Sequence, residues 1–282
     1  MPSSPRTTSP TGGLVWFLVL AFVPAWGYVL VARLVLGWSV VDPLVQLPFA
    51  FAPAVAAVVV RRWVTREGFA DAGLRPRWRK AWPHYLIAWW GPLALTAGTL
   101  AAAAVLGLWA PSTSMVGEGG TPWWVTVVGL QALALVITPL YWGEEFGWTS
   151  YLRLRLVPHR PWASTLLTGL IWAVWHYPLA FLGYVEFSHV LLGLAVWTAS
   201  FVLQEILLTW LRLRSGTVWT SSLAHAGNNM VLSLLTATTL AADEGGTLDG
   251  IAVTALTLLP MGVACAWITL VRPRYGRRRL SG

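Results

Sequence analysis

Cysteine is almost missing from this chain. Cys265 stands alone in an apolar run, so no internal disulfide can form and no cysteine cluster can hold a metal. Lysine is as scarce, with Lys80 the only one among nineteen basic residues. Charge of either sign is thin: 11% of residues, where a soluble domain carries about 25%. There is no HExxH zinc-protease signature, no internal repeat and no alternating ten-residue pattern of a membrane barrel. These absences exclude a disulfide scaffold, an ordinary soluble enzyme and an outer-membrane type of fold.

What fills the chain is apolar. Of 282 residues 56% are hydrophobic and 20 are Trp. A hydrocarbon core about 30 Å thick takes about 20 helical residues, and open sheet edges cannot be satisfied in lipid. The prediction is therefore an all-α polytopic membrane protein with about eight transmembrane helices, near 14–36, 44–60, 84–108, 123–147, 162–183, 189–211, 217–237 and 250–271. The second is short and holds Pro48 and Pro53; the seventh holds His225, Asn228 and Asn229. Residues 1–12, rich in Pro, Ser and Thr, read as a disordered tail. Residues 13–272 read as a single eight-helix unit, and 273–282 as a basic cytoplasmic tail. No small-residue cleavage site clearly follows the first apolar run, which reads as a retained span. The loop 61–83 is basic and aromatic and is expected on the membrane surface.

Basic residues mark cytoplasmic loops. With eight spans and both termini inside, 18 of the 19 basic residues fall on inner segments, leaving Arg33 near an outer end. Asp42, Glu118, Glu186, Asp243, Glu244 and Asp249 fall on the outer loops. The net charge of +8 then reflects topology and attraction to anionic lipid, and no nucleic-acid partner is expected. The expected setting is the plasma membrane of a prokaryote.

Few ionisable groups remain inside spans: Glu144, Glu145, His176, Glu205 and His225. A carboxylate there costs about 2.5–3.5 kcal/mol even on lenient insertion scales, so it faces a cavity or a partner. His84, Arg33 and Arg61 sit at span ends, where snorkelling explains them. Adjacent helical residues point about 100° apart, so Glu144 and Glu145 cannot aim at one point; one faces a site and the other pairs elsewhere. His225 and Asn229, four residues apart, share a face. Trp172 lies one turn before His176. Together these groups can activate a water and stabilise an oxyanion, or ligate a divalent metal such as zinc. Each also has a plainer reading: a helix–helix hydrogen bond for a lone histidine, interfacial water for the glutamates, an interhelical contact for Glu205. A helix ending at 147 puts Glu144 near the inner end, while His176 lies well into its span. Either the fourth helix runs past 147 or the boundaries shift by a turn.

The stretches "GEEFGWTSYL", "IWAVWHYPLAF" and "LTWLRLRSGTVWTSSLAHAGNNM" resemble, in order and spacing, the three motifs of the CAAX-protease and bacteriocin-processing family of intramembrane proteases (EExxxR, (F/W)xxxH, HxxxN/D). They fall at Glu144–Glu145, at Trp172 to His176 and at His225 to Asn229, within a motif core of 137–232. The resemblance implies that Glu144 activates the hydrolytic water, that His176 helps to position it, and that His225 and Asn229 stabilise the oxyanion. In a metal-dependent version Glu144, His176, His225 and Asn229 are ligands. The cofactor is thus none or one divalent metal. The motifs hold no Ser or Cys beside a base, so no covalent intermediate is expected. The sequence departs from the family at Thr149, where the pattern has Arg; Arg153 stands one turn further on. The implied substrate is a membrane-associated or lipidated protein or peptide, and the implied partner the lipid bilayer. Two rivals carry the same residues: a proton-coupled transporter, with Pro139, Gly143 and Gly147 breaking a helix, and a non-catalytic immunity or partner protein.

Overall fold

The computed structural model describes residues 10–110, 121–241 and 248–271. The rest of the expected N-terminal tail, the C-terminal tail 273–282, and Glu118, Asp243 and Glu244 lie outside the described residues. Within the described residues the chain is all-helical, an integral multi-pass membrane protein built on eight rods. They are α1 (Pro10–Leu30, prolonged by a π-helical turn Val31–Val35), α2 (Pro43–Val59, prolonged by Val60–Val64), α3 (Trp78–Val105) and α4 (Trp123–Gly147, prolonged by a π turn Trp148–Leu152 and by Arg153–Arg155). There follow α5 (Pro161–Phe181), α6 (Val190–Ser215), α7 (Val218–Gly227, prolonged by the π segment Asn228–Leu235 and by Thr236–Ala241) and α8 (Gly250–Val271).

Six of these helices are long and apolar enough to cross a membrane. The other two, α5 and α7, are those that carry His176 and the His225–Asn229 pair. Their apolar runs are interrupted by residues that turn inward: Ser164, Thr165 and Thr168 on α5, and Ser221, Ser222, His225 and Asn228 on α7, are all buried. Large apolar side chains instead face outward elsewhere, Val105 at 87% exposure and Leu191 at 85%, as a lipid-facing surface requires.

Several predicted boundaries move. Residues 10–12 belong to α1, since a proline is well placed in the first turn of a helix. Helix α3 starts at Trp78, six residues before the expected 84, so the surface loop shrinks to 65–77. Helix α4 does not stop at 147 but runs on to Arg155, which brings Glu144 away from the helix end.

Small residues let the helices approach. A Cβ added to Gly147 would lie 2.3 Å from Pro53 Cβ, and one on Gly143 would lie 2.7 Å from the Ala50 carbonyl. The two glycines therefore bracket Glu144 and Glu145 and seat α2 directly on α4, a small-xxx-small contact. Indoles strap α1 to α5: Trp26 Nε1 donates to the Trp175 carbonyl at 2.9 Å and Trp175 Nε1 to the Ala21 carbonyl at 3.0 Å.

The two ends of the bundle differ. At one, Arg61 at the end of α2 is fully buried and does not snorkel. It donates to Asp71 at 2.7 Å and to the Gly68 and Ser150 carbonyls at 2.9 Å each. Arg155 pairs with Glu67 and Asp71, both at 2.9 Å, and Arg212 donates to the Asp71 carbonyl and to Ser150 Oγ. Trp219 Nε1 donates to the Leu74 carbonyl. The loop 65–77 thus caps the helix ends. At the opposite end Ser188 donates to Asp249, and Arg33 donates to the Leu182 carbonyl. The ends of α4 and α6 and the start of α7 thus meet at the loop 65–77, and the end of α5 meets the end of α1 opposite.

Candidate active site

The glutamate pair diverges as helix geometry demands. Glu144 points to α5, where its Oε2 accepts a 2.6 Å hydrogen bond from Trp172 Nε1. Glu145, fully buried, points to α7, where Oε1 accepts from His225 Nδ1 at 3.0 Å.

Trp172 organises the first half. Besides holding Glu144, its backbone carbonyl lies 3.1 Å from His176 Nδ1. A carbonyl can only accept, so Nδ1 carries the proton and Nε2 is left to face Glu144. Nε2 lies 3.9 Å from Glu144 Oε2, beyond direct hydrogen bonding and within reach of one bridging water. At His225 an ionised Glu145 carboxylate can only accept, so Nδ1–H is directed to it and Nε2 is left for the site. The Trp172 ring packs edge-on against both imidazoles, with centroids 5.9 Å from His176 and 5.0 Å from His225. One indole therefore fixes Glu144, His176 and His225 relative to one another.

Asn229, one turn beyond His225, donates through Nδ2 to the Tyr141 hydroxyl at 3.1 Å. The Tyr141 ring lies 4.6 Å from the His225 ring. Helices α4 and α7 are thus joined by two rungs, Glu145–His225 and Tyr141–Asn229, set four residues apart on each helix. All five predicted residues, Glu144, Glu145, His176, His225 and Asn229, line one interior region.

Glu205 is fully buried; its Oε1 accepts from Thr209 on its own helix at 2.6 Å, and its Cβ lies against Gly169 of α5. Of the four groups named as ligands in the metal-dependent version, Glu144 Oε2 is engaged by an indole N–H and the Asn229 amide by a phenol, and among the described residues no three His, Cys, Asp or Glu side chains converge as a metal-binding group. At the departure from the family pattern, Thr149 is buried and its hydroxyl donates to the Glu145 carbonyl at 2.8 Å. Arg153 donates to Thr165 Oγ1 and to the Pro161 carbonyl on α5.

Beside this region, α3, α4 and α7 enclose a groove of about 400 Å³. Trp82, Tyr85, Trp89, Thr138, Trp219 and Leu223 line it.

Residues 119–231, less than half of the chain, match the family model described as Type II CAAX prenyl endopeptidase, Rce1-like. The stretch contains both rungs, Trp172 and both histidines. Over this stretch the chain is similar to the family of CAAX-type intramembrane proteases. No curated protein matches it. Tyr141 is the site residue that motif reading passes over. Its only sequence signal is its position four residues before Glu145, on the face that meets α7.

Proposed function

We propose that the protein is an intramembrane endopeptidase that hydrolyses a peptide bond of a membrane-associated or lipidated substrate with a water activated by Glu144. The observation that carries this reading is the 3.9 Å gap between Glu144 Oε2 and the free Nε2 of His176. A water bridging the two meets a base on one side and an orienting group on the other. Glu144 takes a proton as the oxygen attacks the carbonyl carbon, and the same carboxyl returns it to the leaving amine. His225, as an imidazolium whose Nδ1–H is held by Glu145, donates through Nε2–H to the oxyanion that develops, and Asn229 donates beside it. Glu145 holds His225 by Nδ1 and fixes which nitrogen faces the substrate. No step of this reading needs a metal.

The apolar groove beside α3 supports a substrate with an apolar portion delivered from the lipid side. The concentration of basic residues at the loop 65–77 end supports a cytoplasmic placement of that end, in a prokaryotic plasma membrane. The fit of residues 13–272 to one eight-helix unit is part of the same proposal.

The test uses protein purified in detergent and treated with a strong chelator. Quenched peptides ending in an S-farnesylated CAAX sequence, with leader-type peptides as a second set, are incubated with the wild type and with Glu144→Gln, and products are read by mass spectrometry. Cleavage at one bond that survives chelation and disappears in the variant is expected. Loss on chelation with rescue by one divalent ion would contradict the water-only mechanism. Activity retained in Glu144→Gln would contradict the role of Glu144.

A further inference from the structure

Tyr141 belongs to none of the three motifs, yet it meets both members of the third. Its oxygen accepts from Asn229 Nδ2 at 3.1 Å, and its ring lies 4.6 Å from the His225 ring at an interplanar angle of 52°. A carboxamide has two N–H groups and can rotate about its terminal torsion. The phenol takes one of them and so fixes where the other points.

The direction of that bond matters. A phenol both donates and accepts. Because the Tyr141 oxygen accepts from Asn229, its own hydrogen remains to be given, and among the described residues the contacts of Tyr141 include no acceptor for it. The side chain is half-buried, one turn before Glu144 on the same helix. A hydroxyl hydrogen in this position sits beside the carboxamide and imidazole assigned to the oxyanion.

We propose that Tyr141 is a catalytic residue, its hydroxyl donating a hydrogen bond to the oxyanion of the tetrahedral intermediate beside Asn229 and His225. The phenol keeps its proton throughout; it stabilises charge and transfers nothing. This inference rests on the hydrolytic reading given above.

Tyr141→Phe deletes the hydroxyl and keeps the ring against His225. On the farnesylated peptide that the wild type cleaves fastest, kcat is expected to fall about 100-fold with little change in KM, the usual cost of one oxyanion donor. The double variant Tyr141→Phe/Asn229→Ala is expected to be slower than Asn229→Ala alone. A kcat within about twofold of the wild type, or a double variant no slower than Asn229→Ala, would overturn the inference. A second readout does not depend on turnover. A phosphinic analogue of the same peptide mimics the tetrahedral state, and Tyr141→Phe should weaken its binding while leaving that of the uncleaved peptide unchanged. Equal weakening of both would mark a structural role and overturn the proposal. Glu144→Gln run in parallel separates the two levels. If that variant is active, the hydrolytic reading fails. If it is inactive while Tyr141→Phe is fully active, only the role of Tyr141 fails.

Discussion

At the scale of single residues, each of the two adjacent carboxylates is held from another helix, one by an indole and one by an imidazole. An Arg at position 149 would stand four residues after Glu145 on the same face, where it could pair with the carboxylate. Here Thr149 cannot, and the Glu145 carboxylate is held by His225 from another helix. Glu144 is held by Trp172 in the same manner. A hydrogen bond to a charged group contributes about 1.5–3 kcal/mol. Trp172→Phe, which removes that donor from Glu144, is therefore expected to lower kcat by roughly 10- to 100-fold, and steady-state kinetics on a cleaved peptide checks it. The divergence of Glu144 and Glu145 and the shared face of His225 and Asn229 were legible in the sequence, because both follow from the 3.6-residue period alone. The Tyr141–Asn229 bond was not, since it joins positions 88 residues apart and needs the crossing of α4 and α7 to be known.

At the scale of elements, the sequence GEEFG is a packing motif as much as a chemical one. Gly143 and Gly147 clear the space that α2 occupies, and the two carboxylates between them then turn to α5 and α7. A methyl group at 147 meets Pro53 at 2.3 Å, with the Pro53 backbone close behind, so the helices must part. Gly147→Ala is expected to destabilise by about 1–3 kcal/mol through overpacking. Gly129→Ala on the same helix, with nothing within 4 Å of the new methyl, is expected to be neutral or mildly stabilising. Thermal melting of the two variants in one detergent checks the contrast. Helix existence was legible from the apolar runs, whereas ends were not. The depth of His176 left open that α4 runs past 147, and it does: Thr149 and Ser150 are buried and belong to a π turn that continues the helix. π turns of this kind recur at functional sites.

At the scale of the whole molecule, charge has a second use besides orienting the bundle. Arg61, Arg155 and Arg212 come from three different helices and meet on the loop 65–77, around Asp71. The sequence showed the basic residues but assigned Arg61 to snorkelling, because its partners Asp71 and Ser150 lie 10 and 89 residues away. Partial burial pushes the Asp71 carboxyl up, but the hydrogen bond from Arg61 and the charges of Arg155 and Arg61 outweigh it and hold the group below its ordinary 3.8. A carboxyl whose folded value is depressed stabilises above its unfolded value and loses that contribution as pH falls through the folded one. The melting temperature of the wild type is therefore expected to drop as pH falls below about 4. Asp71→Asn should melt lower at pH 7 and show a flatter acid limb; identical pH profiles would show that the cap does not rest on Asp71.

The central claim is that Glu144 activates water in a site held by Trp172, His176 and His225. Its most direct test is the single-turnover rate of chelator-treated Glu144→Gln on the best-cleaved peptide, with the melting temperature recorded on the same sample. The account predicts a normally folded variant whose rate has fallen by at least about 100-fold, the lower range for a lost general base. A folded variant that cleaves at the wild-type rate would contradict it.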